Sequence, residues 1–192
     1  MGRRAGRDKV TLSPGSFLFL RHGETDANAR DIICGSTDLP LNETGLAQAQ
    51  QAALHLQGLG LERIVTSPLM RARQTAQAAA DLLQLPLTVV DGLAERNWGA
   101  WEGAPRETLR RDDTPPGGES PQAFATRTRA AFESITFDQP TLIVAHSGTD
   151  RVLHAAFATG PHRRLGNAKF RLWSPDVHKI EWSCHEGFKN ER

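Results

Sequence analysis

Phe17-Leu-Phe-Leu20 runs straight into Arg21-His22-Gly23-Glu24-Thr25, and the junction between these two stretches decides how the chain is read. Four consecutive apolar residues suit a strand covered on both faces, not one half exposed to water. The polar string that follows belongs at the carboxyl end of that strand. The same arrangement recurs twice. Arg63-Ile-Val-Thr66 leads into Ser67-Pro-Leu-Met-Arg71, and Thr141-Leu-Ile-Val-Ala145, the strongest strand in the chain, leads into His146-Ser-Gly-Thr149.

Helical segments separate these strands. Asn42 is placed to cap a helix through Ala47, Ala53 and Leu56, with Gly58 near its end. Ser67-Pro68 reads as the N-cap and first residue of a helix over Leu69 to Leu83, rich in Ala, Leu, Arg and Gln. Leu87 to Val90 is a third strand. Gly99 to Gly118 is loop-rich, with a short helical stretch around Glu107 to Arg111 and a break at Pro115-Pro-Gly-Gly118. Helices are expected over Ser120 to Ser134 and Thr149 to Phe157, and strands over Lys169 to Trp173 and Val177 to Trp182. Alternating strands and helices imply crossovers and a largely parallel sheet between helices. Residues 1–15 are polar and read as a loose arm, leaving 16–192 as one domain.

The bulk properties agree. The 192 residues lie near one domain by a prior of about 150 residues each, and bury about 70% of the unfolded surface without help from disulfides or metals. Lys plus Arg number 23 and Asp plus Glu 22, so the net charge of +1 argues against a protein that coats nucleic acid or an anionic membrane. Cys34 and Cys184 are too few for a disulfide framework or a four-cysteine zinc site, and read as free thiols in a reducing compartment. No apolar run approaches the roughly 18 residues of a membrane span. The basic start lacks the apolar region of about 7–15 residues that a signal peptide needs, and Gly6 breaks the myristoylation pattern. A cytoplasmic protein is expected.

In open α/β sheets, ligands bind at the carboxyl ends of the strands. There this chain gathers Arg21, His22, Arg71 and His146 with glycines and hydroxyls. Singly, an arginine is ordinarily a solvated charge and a histidine a hydrogen-bonded filler. Together they suit a phosphoryl group. Arginine offers a planar fork of permanently charged donors, and Arg71 lies in the first turn of its helix, where free N–H groups also favour an anion. Neutral imidazole has a lone pair that attacks phosphorus directly. His22, followed by Gly23, is the better nucleophile; His146 is read as a donor to the developing charge. The remaining histidines are scattered, His154 being assigned to packing or surface. No metal or other cofactor is called for.

Arg21-His-Gly-Glu-Thr25 resembles the signature of the histidine phosphatase superfamily, the phosphoglycerate-mutase-like proteins. Further matches run in family order. They comprise Asn28, Gly35 and Asp38-Leu-Pro-Leu-Asn-Glu-Thr-Gly45; Ser67-Pro-Leu-Met-Arg-Ala-Arg-Gln-Thr-Ala76; Leu93-Ala-Glu95 through Trp98-Gly-Ala-Trp-Glu-Gly103; and Val144-Ala-His146. The resemblance implies a three-layer α/β/α sandwich with a mostly parallel central sheet. It also implies a phosphate pocket built from Arg21, His22, Arg71 and His146, with Asn28 and Gly35 adding contacts. Glu95 is implied as proton donor to the leaving oxygen and later as the base that activates water, a role that typically supplies about 10²–10⁴-fold. Ser147 stands where the family often has Gly, which alters pocket shape.

The short stretch from Ala104 to Gly118 and Pro116-Gly-Gly-Glu-Ser120 resemble the phosphatase branch, whereas family mutases carry a long insertion there. Glu95-Arg96 is similar to the mutase motif, in which the arginine helps hold a carboxylated substrate. The expectation is therefore a phosphomonoesterase acting on a small phosphorylated metabolite through phosphohistidine. The alternatives are a phosphoglycerate-mutase-type phosphotransferase and a non-catalytic phosphoryl-ligand binding protein. Trp98, Trp101, Trp173 and Trp182 are read as core or loop anchors, Trp98 and Trp101 alternatively as a stacking platform.

Overall fold

The computed structural model describes residues 12, 15–158 and 160–175 and the strand 182–186. Among these, six strands form one sheet: β1 (Phe17–Arg21), β2 (Arg63–Thr66), β3 (Leu87–Val89), β4 (Thr141–Ala145), β5 (Phe170–Pro175) and β6 (Trp182–Glu186), in the order β3-β2-β4-β1-β5-β6. The run β3-β2-β4-β1 is parallel, with Leu18 opposite Leu142 and Ile64 also opposite Leu142. β5 and β6 are added antiparallel at one edge. The helices are α1 (Asp26–Ala29), α2 (Glu43–Leu56), α3 (Met70–Leu83), α4 (Pro121–Glu133) and α5 (Ser147–Phe157).

Strand alternation sorts the core into two layers. Leu18, Leu20, Ile64, Leu142 and Val144 face one side of the sheet and pack on the alanines of α2 and α3. Phe17, Phe19, Val65, Ile143 and Ala145 face the other, against Phe132 of α4 and Leu153 of α5. Both faces of β1 and β4 are thus covered, which is why their sequences are uninterruptedly apolar. The result is the expected three-layer α/β/α sandwich.

Local signals behave as their chemistry dictates, with three differences. Asn42 caps α2 through Gly45 N–H and Ser120 caps α4 through Ala123 N–H. Ser67 is not the N-cap of α3, which begins at Met70 after Leu69; its hydroxyl accepts from Leu69 N–H at 3.3 Å and lies 2.6 Å from His146 Nε2. α5 starts at Ser147 instead of Thr149, directly after His146. The last strand runs over Trp182–Glu186, paired with Arg171–Pro175 of β5. Of the expected strand Val177 to Trp182, all but Trp182 lies outside the described residues, as do residues 1–11 of the expected arm. The stretch after β3 contains single 3-10 turns at Asp91–Leu93, Gly99–Trp101 and Arg106–Thr108.

Candidate active site

The carboxyl ends of β1, β2 and β4 lie side by side, so Arg21-His22, Ser67 and His146 arrive together although far apart in sequence. Arg71 follows in the first turn of α3. It is fully buried, and its guanidinium donates to the Gly35 and Thr37 carbonyls at 2.7 and 2.9 Å. Gly35 sits at φ +57°, where a Cβ would lie 2.1 Å from a Glu102 oxygen. The Glu102 carboxylate in turn accepts from Ser36 N–H, Thr37 N–H and both hydroxyls, and from Trp98 N–H. Burial opposes ionisation of Glu102, but these donors prevail and hold its carboxyl below the ordinary range. An ionised carboxylate therefore shapes the turn that positions Arg71.

His22 is buried, and its Nδ1 lies 2.7 Å from the Gly23 carbonyl. A carbonyl only accepts, so Nδ1 carries the proton and Nε2 keeps its lone pair. Burial first, then Arg71 and Arg21, press its pKa well below the usual histidine value. The ring is neutral at physiological pH. His146 is fully buried beside it, ring centroids 5.1 Å apart, with Nε2 2.6 Å from Ser67 Oγ. Its pKa is lowered too, by burial and then by Arg71. His146 Nδ1 is buried with no hydrogen-bond partner among the described residues.

Arg21 is anchored by donation to the Leu165 carbonyl at 2.8 Å, and burial together with neighbouring arginines lowers its pKa to about 9. It remains cationic near neutrality. Asn28 sits in a capping box with Thr25, and its Oδ1 accepts from Asn167 Nδ2 at 2.9 Å. Asn167 also donates to the His22 and Gly23 carbonyls. The sequence reading missed Asn167, Thr75, whose hydroxyl accepts Gly23 N–H, and Glu102 as a positioning carboxylate. No spacing rule links them to β1; only the folded chain does.

Glu95 comes from the loop after the Asp91–Leu93 turn. Its carboxylate accepts from Arg96 N–H at 2.8 Å and from Gly148 N–H, in the first turn of α5, at 2.9 Å. A Cβ on Gly148 would meet Glu95 Oε1 at 2.0 Å, so a side chain there would push the carboxylate out of this position. Arg21, His22, Asn28, Gly35, Arg71, Glu95, Arg96 and Ser147 all line one cavity of about 600 Å³, with His146 set against His22.

Arg96 lies at that cavity in a role different from the one its motif implied. Its guanidinium donates to the carbonyls of Arg111, Asp113 and Glu119 at 2.6–3.1 Å. It also lies 4.0 Å over the Trp98 ring. These bonds leave little donor capacity for a substrate carboxylate and fasten the 111–119 loop. Trp98 is 9% exposed and stacks near Trp101, as a loop anchor does. His154 is buried against His162 and Trp173, within the expected packing role.

Comparison with known proteins is consistent with this geometry. Uncharacterized phosphatase PhoE of Bacillus subtilis is 34% identical over 151 residues, 76% of this chain and 78% of its own. The adenosylcobalamin/alpha-ribazole phosphatase of Escherichia coli is 29% identical over 182 residues, 86% of both chains. Among solved structures, a mycobacterial glucosyl-3-phosphoglycerate phosphatase in complex with VO3 superposes with a TM-score of 0.77 at 29% identity, over 89% of this chain and 97% of that one. A phosphoglycerate mutase from Thermus thermophilus gives a TM-score of 0.74 at 29% identity, over 91% and 99%. The family model for the histidine phosphatase superfamily (branch 1) matches residues 17–183, and with the ordered motifs and the buried pair of histidines in place, the chain belongs to that superfamily.

Proposed function

We propose that this protein is a phosphomonoesterase that hydrolyses a small phosphorylated metabolite through a phosphohistidine on His22. The observation that carries the reading is the His22 ring itself: neutral, tautomerically fixed by the Gly23 carbonyl, and flanked by Arg21, Arg71 and His146 at one cavity. Nε2 attacks phosphorus as the ester P–O bond breaks. Arg21 and Arg71 balance the charge spread over the phosphoryl oxygens. With Ser67 donating to His146 Nε2, the His146 Nδ1–H is left to donate to one of those oxygens. Glu95, protonated, gives its proton to the departing alcohol, which leaves poorly as an alkoxide. Glu95 then takes a proton from water as that water attacks the phosphohistidine, and the N–P bond breaks to release phosphate. Asn28, Gly35 and Ser147 complete the wall around the anion.

Two observations favour water over a second substrate hydroxyl as acceptor. The segment after Glu95 is short, and Arg96 spends its donors on the loop carbonyls and not on a retained product. The test is acid-quenched trapping of labelled phosphoenzyme with product analysis. A covalent adduct that His22→Ala abolishes, with free phosphate released from 3-phosphoglycerate, is expected. Formation of 2-phosphoglycerate with a bisphosphoglycerate primer would reassign the protein as a mutase. Binding with no adduct would make it a phosphoryl-ligand receptor.

A further inference from the structure

The cavity is larger than a phosphoryl group requires; about 600 Å³ is the size of sites that hold a whole small ligand. Beyond the anion-binding floor it continues between α4 and α5. Helical periodicity turns Pro121, Ala125 and Arg129 of α4, and Arg151, Val152 and Ala155 of α5, toward this space, and Phe124 and Leu109 also line it. The walls are therefore apolar and the borders are arginine.

Those arginines are unevenly compensated. Arg106 pairs with Asp31 at 3.1 Å and Arg129 reaches Glu133 at 4.0 Å. Among the described residues, Arg111 and Arg151 form no ion pair, and Asp112 is the one other carboxylate beside Glu95 at the cavity. Burial, then Arg151, then Arg106 depress the pKa of Arg111, so these cations lie close enough to repel one another. Arg111 is half-buried and Arg151 exposed at the cavity wall, so an anion between them would gain two charge-assisted partners that no carboxylate among the described residues already occupies.

We infer that this chamber is a leaving-group subsite selecting a phosphomonoester whose alcohol has an apolar stem ending in a second anionic group, held between Arg111 and Arg151. The inference takes the phosphatase reading as its starting point, because Arg21 and Arg71 must fix the phosphoryl end with or without the His22 ring, yet the two fail separately. Suitable probes are 6-(phosphonooxy)hexanoate, whose six-carbon chain ends in a carboxylate, and its methyl ester, which keeps the stem but not the charge. In His22→Ala protein, calorimetry should show the acid binding at least tenfold tighter than the ester. Adding Arg111→Gln and Arg151→Gln should bring that ratio close to one. Wild-type enzyme should show the same preference in kcat/KM for phosphate release. Equal affinity for acid and ester in the His22→Ala protein overturns the subsite whatever the wild type hydrolyses, as does a preference that survives both arginine substitutions. A preserved binding preference without any phosphate release overturns the phosphatase reading and leaves the subsite standing.

Discussion

His22 and His146 show how burial converts an ordinary titratable residue into a tool. Each would protonate near pH 6.5 in an unfolded chain, and each is pressed well below that value in the fold, by desolvation first and by Arg71 next. The sign of the pH effect follows. Between the folded and unfolded pKa values the unfolded state binds the extra protons, so stability falls as pH drops below about 6.5. Two such groups give a slope of up to about 2.7 kcal/mol per pH unit, from about 1.4 for each. Denaturant titrations of the ligand-free protein at pH 7, 6 and 5.5 should show this loss, in a range where exposed carboxylates are still ionised. His146→Asn should remove about half of the slope. On the proposed mechanism, the same shift keeps His22 unprotonated in mildly acidic solution, as an attacking imidazole requires.

At the scale of elements, the first turn of α5 and the 111–119 loop are where the chain is least forgiving. Gly148 brings its N–H to the Glu95 carboxylate, and a methyl group there would occupy the place of Oε1. If Glu95 is the general acid proposed above, Gly148→Ala should displace it and lower kcat by about 10²-fold or more; steady-state rates on a phosphomonoester check this. Arg96 clips its loop by four hydrogen bonds to three carbonyls. Lysine has one nitrogen where arginine has a fork, so Arg96→Lys loses most of these bonds to part-buried carbonyls, each worth about 0.5–1.5 kcal/mol. A fall of at least about 2 kcal/mol in unfolding free energy is expected, measured by urea denaturation. The sequence motif held Glu95 and Arg96 together; their opposite employment arises from what each meets after folding.

For the whole molecule, the sheet order β3-β2-β4-β1 puts three strand ends in adjacent positions, and the pocket is a consequence of that order. Buried cations concentrated there are mutually unfavourable without a ligand, so an oxyanion should stabilise the fold globally. Inorganic phosphate at about a hundred times its Kd is expected to add about 2.7 kcal/mol of stability, seen as a rise in Tm. In Arg71→Gln that rise should disappear at the same phosphate concentration. No helix among the described residues is long and apolar enough to cross a membrane.

Much of this protein was legible before folding, and for definite reasons. The strands β1 and β4 are marked by the apolar runs Phe17–Leu20 and Leu142–Ala145, which suit a sheet covered on both faces. The starts of α2 and α4 follow from Asn42 and Ser120, whose side chains reach backbone N–H groups three residues on. Arg21, His22 and His146 stand at strand ends and Arg71 at the start of the helix after one, and period and punctuation are local properties of a chain. Partnerships between distant residues are not. That Ser67 reaches His146 as well as the start of its own helix, that Asn167 holds the backbone of His22, that Glu102 shapes the turn under Arg71, and that Arg111 and Arg151 share one chamber were decided by tertiary structure. Hydrogen bonds and like-charge repulsion act over a few ångströms of space, whatever the separation along the chain.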